Sequence, residues 1–404
     1  QEHNLTVSGG TEKINYYMSG AFLDQGGFMR HGQDDYKRYN ILGKFNAQIQ
    51  PWLKVGFTSK WIRTDYDRPT TLSGNFYDNV IRRGWPTVPV RDPNGYYASR
   101  VNYIEQLENG GRYKEQNDLF ANQVTLTITP IKNWNIIGEF NSRINSDWRH
   151  QENFTTYGHD ADDPEKTHIA IDSFLEDDQR VSERSYRSTY LNANVYTNYT
   201  FNFAKYNNVT LLAGAQVENF KSRVLSANRA NLYTTDLPVL DLTTDNNDFG
   251  MGGAYDKWAT LGFFGRINYD FDSRYLIEVN MRYDGSSRFR RDKRWVLSPS
   301  MSAGWNIARE SFWADIERIV PIMKLRFSWG QLANQTTDEL YPTYRHMNLA
   351  NRSETWLVNG VKPNSSWFPN VINDRLTWEK IVTTNIGLDW GLFNNRLTGS
   401  FDYY

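Results

Sequence analysis

Tyr39-Asn40-Ile41-Leu42-Gly43-Lys44-Phe45-Asn46-Ala47-Gln48-Ile49 alternates. Tyr39, Ile41, Gly43, Phe45, Ala47 and Ile49 are apolar, aromatic or small, while Asn40, Lys44, Asn46 and Gln48 between them are polar, with Leu42 the exception. A period of two is the signature of a β-strand, because successive side chains leave opposite faces of the pleat. The run of about eleven residues matches a tilted strand that crosses a bilayer and exceeds the ~5–6 residues of an ordinary soluble strand.

The pattern recurs outward from this stretch. Asn135, Glu139, Asn141, Arg143 and Asn145 alternate with Ile136, Gly138, Phe140 and Ile144. Arg266, Asn268 and Asp270 alternate with Phe263, Ile267 and Tyr269, and Glu278, Asn280, Arg282 and Asp284 with Ile277, Val279, Met281 and Tyr283. Two folds share such alternation. A soluble sandwich hides the apolar face, whereas a membrane barrel turns it to lipid and keeps a wet lumen.

Connection lengths separate the two. About fourteen strands are predicted, at 3–9, 13–23, 36–49, 53–63, 119–129, 134–146, 185–203, 209–221, 256–270, 274–284, 295–306, 322–331, 381–391 and 396–404, with ends placed to about 2–4 residues. The odd-numbered connections are short, except 307–321, where the sequence predicts a helix at 310–319. Most even-numbered connections are long, notably 64–118, 147–184, 222–255 and 332–380. Short turns at one end and long loops at the other are the pattern of an up-and-down outer-membrane barrel. The fold class expected is therefore all-β, a transmembrane antiparallel β-barrel. Aromatics flank the short turns (Trp52, Trp134, Phe201, Phe203, Tyr206, Phe271, Tyr275 and Phe393 among them), as in an interfacial girdle.

Composition narrows the function classes. No run of ~18 apolar residues is present, so no helix is long enough to span a membrane. The net charge of −1 argues against a nucleic-acid-binding surface. With no cysteine, thiol chemistry is excluded. The six histidines show no metal-binding spacing, and His159-Asp160-Ala161-Asp162-Asp163 lacks that of a calcium loop. Gly250-Met251-Gly252-Gly253 lacks the strand-then-helix setting of a phosphate loop. Neither an enzyme nor a bound cofactor is indicated.

Longer motifs carry a resemblance. Asn4-Leu5-Thr6-Val7-Ser8-Gly9-Gly10-Thr11-Glu12-Lys13-Ile14-Asn15-Tyr16-Tyr17, with Asp24-Gln25-Gly26-Gly27, resembles the hairpin that opens the barrel of the SusC/RagA family of TonB-linked outer-membrane transporters. Similar to the same family, and in family order, are 260–269, Arg282-Tyr283-Asp284-Gly285-Ser286-Ser287-Arg288-Phe289, 297–305, Trp378-Glu379-Lys380, Asn385-Ile386-Gly387-Leu388-Asp389 and Phe393-Asn394-Asn395-Arg396-Leu397. The resemblance implies a plugged barrel of about 22 strands. It implies active import of oligosaccharides or peptides, a SusD-like surface lipoprotein as partner, and energy from the TonB–ExbB–ExbD complex. On that reading residues 1–404 are a partial barrel domain with the plug and last strands elsewhere, and strands 3–9 and 396–404 should not pair with each other. The rival class is a passive porin or surface adhesion barrel.

Individual residues follow from these expectations. Arg38, Lys44, Glu139, Arg143, Arg266, Glu278 and Arg282, with Asn46 and Asn268, should face the lumen, since an Arg or Lys facing lipid near mid-bilayer costs ~2–4 kcal/mol. Pro299 falls inside a predicted strand and calls for a bulge. Substrate contact is expected from loop aromatics, because binding groups concentrate on loops held by a rigid scaffold. The candidates are Trp85, Tyr96, Tyr97, Trp356, Trp367 and Phe368, with Phe76, Tyr77 and Trp148 as further loop rings.

Overall fold

The computed structural model describes residues 1–404 except 84, 86, 99–102, 171–172, 174–175, 177–178, 245–247, 346–348, 351–358, 361–364 and 367–370. Fourteen strands form one sheet in strict sequence order, each antiparallel to its neighbours. They are β1 (Glu2–Gly10), β2 (Ile14–Gly26), β3 (Asp35–Gln50), β4 (Leu53–Pro69), β5 (Arg112–Ile131), β6 (Trp134–Asn153), β7 (Arg180–Phe203), β8 (Asn207–Ala230), β9 (Phe249–Phe271), β10 (Tyr275–Ser286), β11 (Trp295–Asn306), β12 (Ile322–Asn334), β13 (Glu379–Leu392) and β14 (Leu397–Tyr403). β1 and β14 end the order, and among the described residues they do not pair with each other.

Alternation fixes which face each residue takes, and the ladder carries it from strand to strand. One row reads Thr210–Asn268–Glu278–Ser302–Ser328–Asn385 across β8 to β13. The adjacent row on the opposite face reads Leu211–Ile267–Val279–Met301–Trp329. A one-residue slip anywhere would exchange the two sets. Within the ladders, register shifts occur only beside short turns, between Gln48 and Gln50 and between Ile128 and Ile131, among the described residues.

The short turns are tight. Asp272 and Ser273 both take φ of 54°, and the Arg274 amide donates to the Phe271 carbonyl at 2.8 Å. The ladder pairs Phe271 with Tyr275, so three residues close this hairpin, the first two in left-handed backbone. Above these turns, rings on the apolar face form a belt. Trp134 meets Tyr199 (6.5 Å between centroids), Tyr199 meets Phe201 (5.5 Å), and Tyr206 and Tyr275 both flank Phe271 (6.5 and 6.0 Å). Polar tips are satisfied, as where Trp134 Nε1 donates to Thr197 Oγ1 at 2.7 Å.

Three expectations are corrected. Residues 310–319 do not form one continuous helix; a 3₁₀ turn at Ser311–Trp313 passes into isolated turns, the Glu317 amide donating to the Trp313 carbonyl (2.9 Å) and the Val320 amide to the Ile316 carbonyl (2.8 Å). Glu310, extended at φ −77° and ψ 147°, separates this run from a second 3₁₀ turn at Ile307–Arg309. Pro299 needs no bulge, because the register passes through it opposite Met281 without a shift. The ladder to β12 begins only at Ser300, and Gln331 Nε2 donates to the Leu297 carbonyl at 2.7 Å. Leu297 and Pro299 direct their backbone groups to the same side, so the absent proline donor falls at a ladder end. Finally, the strands bordering the long loops outrun their predicted ends. β7 and β8 reach 24 residues each, against the ~9–11 a bilayer needs.

Two small cores sit at the long-loop end. Leu72, Phe76, Tyr103 and Leu107 cluster with Met29 against them, linking α1 (Gly74–Arg83) to α2 (Ile104–Asn109). Phe289, Val296 and Trp378 form the other, with Ala333 packed on it.

Candidate functional site

The polar face of the sheet is a wall of largely compensated charge. Arg266 Nε donates to Asn280 Oδ1 at 2.6 Å, and Asn280 Nδ2 donates to Glu278 Oε1 at 2.8 Å. Arg282 Nε sits 2.8 Å from Asp284, and its Nη2 donates to Gln216 Oε1 at 2.5 Å. Glu139 accepts from Asn194 Nδ2 and Tyr196 OH at 3.4 Å each. Asn46 Nδ2 donates to Asn15 Oδ1 at 3.2 Å, and Arg38 lies 3.9 Å from Glu2. Lys44 and Arg143 stand on the same face by register, opposite Thr58 and Tyr190 respectively. The nine residues predicted to be inward thus share one face.

Sequence reasoning missed the strongest group on this wall. Arg326 of β12 makes a bidentate pair with Asp389 of β13, at 2.9 Å on both bonds, and reaches Asp402 of β14 at 3.2 Å. Such a fork is geometrically specific. It borders a hollow of about 470 Å³ that Asn268, Asp270, Glu278, Ser302 and Lys324 also line. Higher up, Asp147 lies between Arg149 (3.1 Å) and Arg184 (3.3 Å), and Arg149 also reaches Glu115 (3.3 Å). Apart from Asp147 and Arg149 on one strand, these partners lie 34 to 76 residues apart, and no single-sequence signal pairs them; the register does.

The loop platform answers differently. Trp85 is 61% exposed. Tyr96 stacks on the His159 ring, with centroids 3.8 Å apart and planes 17° from parallel. Tyr97 donates its hydroxyl to Glu108 Oε2 at 2.9 Å and carries the Arg91 guanidinium over its ring at 4.1 Å. His31 Nδ1 lies 2.7 Å from the other Glu108 oxygen. The bond from His31 holds the Glu108 carboxyl below the usual carboxylate range, with Tyr97 adding to it, and the same carboxylate raises the Tyr97 hydroxyl. Tyr96 and Tyr97 thus cross-link loops, and Trp85 alone of these three offers a largely open ring.

Trp356, Trp367 and Phe368 lie outside the described residues. Phe76 is buried in the α1–α2 core, and Trp148 stands on β6, on the apolar face, parallel to the His150 ring at 6.0 Å. Neither is a loop ring open to ligand, because the strand and the core extend into what looked like loop. Asp160 accepts from the Asp162 and Asp163 amides, which lowers its carboxyl and marks a capped acidic turn. Among the described residues no group of metal-ligating side chains is present.

The family model described as TonB dependent receptor-like, beta-barrel matches residues 30–404. The chain belongs to that family. It is an integral outer-membrane barrel wall that crosses the bilayer with strands, and the family is not one of enzymes. TonB-dependent receptor SusC of Bacteroides thetaiotaomicron is 25% identical over 426 residues, covering 100% of this chain and 40% of that protein. TonB-dependent receptor P3 of Formosa agariphila is 26% identical, covering 99% of this chain and 39% of its own length. The chain spans about 40% of the length of these curated relatives. Among solved structures, the RagAB peptide importer in its open-open state aligns with a TM-score of 0.81 at 22% identity, over 99% of this chain and 43% of that one. The unliganded ferric citrate transporter FecA aligns at 0.55 and 10% identity, over 99% and 47%. The SusC/RagA resemblance holds, and at these identities the solved structures speak to fold.

Proposed function

We propose that this TonB-dependent receptor wall belongs to an active importer of oligomeric nutrients, oligosaccharides or peptides, working with a SusD-like surface lipoprotein. The observation that carries the reading is the polar face. Most of its charges, Arg266, Glu278, Arg282 and Arg326 among them, are paired or hydrogen-bonded in a way that suits a wet, occupied lumen rather than lipid. The nine inward residues line that lumen and hold a plug, and Arg326 with its two aspartates anchors the same face near the short turns. The edges of β1 and β14 pair with further strands, toward the ~22 of plugged barrels, since an unpaired edge in lipid costs several kcal/mol per group.

The loop end is the proposed meeting place for partner and substrate. Trp85 is the proposed stacking ring, with Trp356, Trp367 and Phe368 as further candidates. Tyr96 and Tyr97 set the platform's shape.

Cells carrying the full-length gene should take up a labelled oligomer, and lose that uptake when TonB or the partner lipoprotein is deleted. Uptake that persists without TonB would replace the importer with a passive porin. A gene whose loss changes attachment but no uptake would mark an adhesion barrel.

A further inference from the structure

The apolar face carries a cationic patch that the barrel wall does not explain. Its rows are set by register. Arg187 of β7 stands opposite Arg223 of β8, which stands opposite Tyr255 of β9. In the next row, Thr189 stands opposite Lys221, which stands opposite Lys257. All four cations are exposed, and among the described residues none has a carboxylate partner within 4 Å. Like charges placed directly opposite on one face repel, and here two such pairs stack in adjacent rows. The anions nearby are committed elsewhere. Asp118, in the same row on β5, is held by Arg63 at 2.7 Å, and Glu183, two rows higher on β7, by His150 at 2.6 Å. Asp256 leaves the opposite face by alternation.

Height identifies the counter-charge. From Leu211, in the row of Tyr199 and the aromatic belt, the outward positions of β8 run Leu211, Ala213, Ala215, Val217, Asn219, Lys221. Ten residues at about 3.4 Å each, on a strand tilted about 40°, climb roughly 26 Å, the height of the ~25 Å apolar band of such barrels. The cations therefore sit where that band ends on the long-loop side, level with lipid headgroups. Ser146 and Thr189 supply hydroxyls among them, and Tyr255 lies under the Arg223 guanidinium at 5.8 Å.

We propose that Arg187, Lys221, Arg223 and Lys257 form a binding site for the phosphate groups of an anionic lipid of the outer leaflet. The site rests on the outward reading of the apolar face, but not on transport, substrate or partner. A lipid with two phosphates, or two neighbouring headgroups, would answer both rows and relieve both repelling pairs.

The test is native mass spectrometry of the full-length receptor, taken from nanodiscs containing phosphorylated lipid A or its dephosphorylated form. The wild type should retain the phosphorylated lipid at least about tenfold better, since each Lys or Arg near an anionic surface contributes about fivefold (~1 kcal/mol). Replacing all four (Arg187→Gln, Lys221→Gln, Arg223→Gln, Lys257→Gln) should reduce that preference to within about twofold. Thr189→Asp, which keeps every cation but adds a competing carboxylate, should weaken it partway and guards against a quadruple variant that does not fold. Equal retention of both lipids by the wild type, or a preference unchanged in both variants, would overturn the site. Retention of inorganic phosphate by the wild type together with no preference between the two lipids would also overturn it, in favour of a soluble-anion site. Labelling that showed the apolar face turned to water would instead remove the outward reading beneath it.

Discussion

β5 to β9 are each two structures end to end. Near the short turns, β8 is outwardly Val209, Leu211, Ala213, Ala215 and Val217; beyond Asn219 the same face reads Lys221, Arg223, Leu225, Ala227 and Arg229. The lower part sets an apolar face against a polar one. The upper part carries charged and polar residues on both faces and is held by cross-strand ion pairs and cation–π contacts, with two small cores beside it at the same end of the sheet. One hydrogen-bonded ladder runs through both. The backbone pattern is thus continuous across a change of solvent, and only the side chains record where the membrane stops.

The largest effect expected lies in the upper part. Phe289 is 0% exposed between Val296 and Trp378, and Trp378 Nε1 donates to the Arg294 carbonyl at 2.8 Å. Phe289→Ala should cost ~3–5 kcal/mol, as for a buried aromatic removed from a core. Unfolding by urea in vesicles, followed through Trp fluorescence, reads it. A loss below ~1 kcal/mol would mean this core does not support the loop end.

A matched pair sharpens the contrast itself. Ala215 and Ala227 share one strand and one face, opposite Phe263 and Met251. Ala215→Arg should destabilise by ~2–4 kcal/mol, because it places a charge near mid-bilayer, whereas Ala227→Arg, above the band, should cost no more than ~1 kcal/mol. Equal costs would erase the division between the two parts.

The smallest effect is pH-dependent. Glu108 is held below its ordinary range in the folded protein, chiefly by His31. Its unfolded form therefore binds protons more readily, so its contribution is full above the usual carboxylate pKa and is lost as pH falls through the lower folded value. Protection of the 103–110 backbone against hydrogen exchange should drop as pH is lowered below about 4, and Glu108→Gln should flatten that dependence. An unchanged dependence in the variant would assign the loosening to other carboxylates.

What the sequence made legible follows the same division. All fourteen strands were readable where apolar and polar residues alternate, as at Phe263-Phe264-Gly265-Arg266-Ile267-Asn268. The segments beyond the predicted ends, 180–184 and 222–230 among them, were read as loop, since Arg180, Ser182, Glu183 and Arg184, like Ser222 and Arg223, put polar groups on both faces. The α1–α2 core was not legible for a different reason. Leu72 and Phe76 meet Tyr103 and Leu107 across about thirty residues, and no local period encodes that contact. Pro299 was misread because the rule against proline in a strand assumes that both neighbours are paired there. On the polar wall the predicted residues share their face, but their partners came from register, with Arg266 meeting Asn280 and Arg282 meeting Gln216.

The most direct test is a spin-label scan of Phe263 to Asn268 and Ile277 to Arg282 in the full-length receptor in bilayers. Labels at Phe263, Ile267, Ile277 and Val279 should be relaxed by oxygen, which concentrates in lipid, and those at Arg266, Asn268, Glu278 and Arg282 by a water-soluble nickel chelate. The same scan over Arg223 to Arg229 should lose the alternation, with every label open to the chelate. The reverse phase along β9 and β10, or no alternation there, would contradict a membrane barrel wall with a polar lumen.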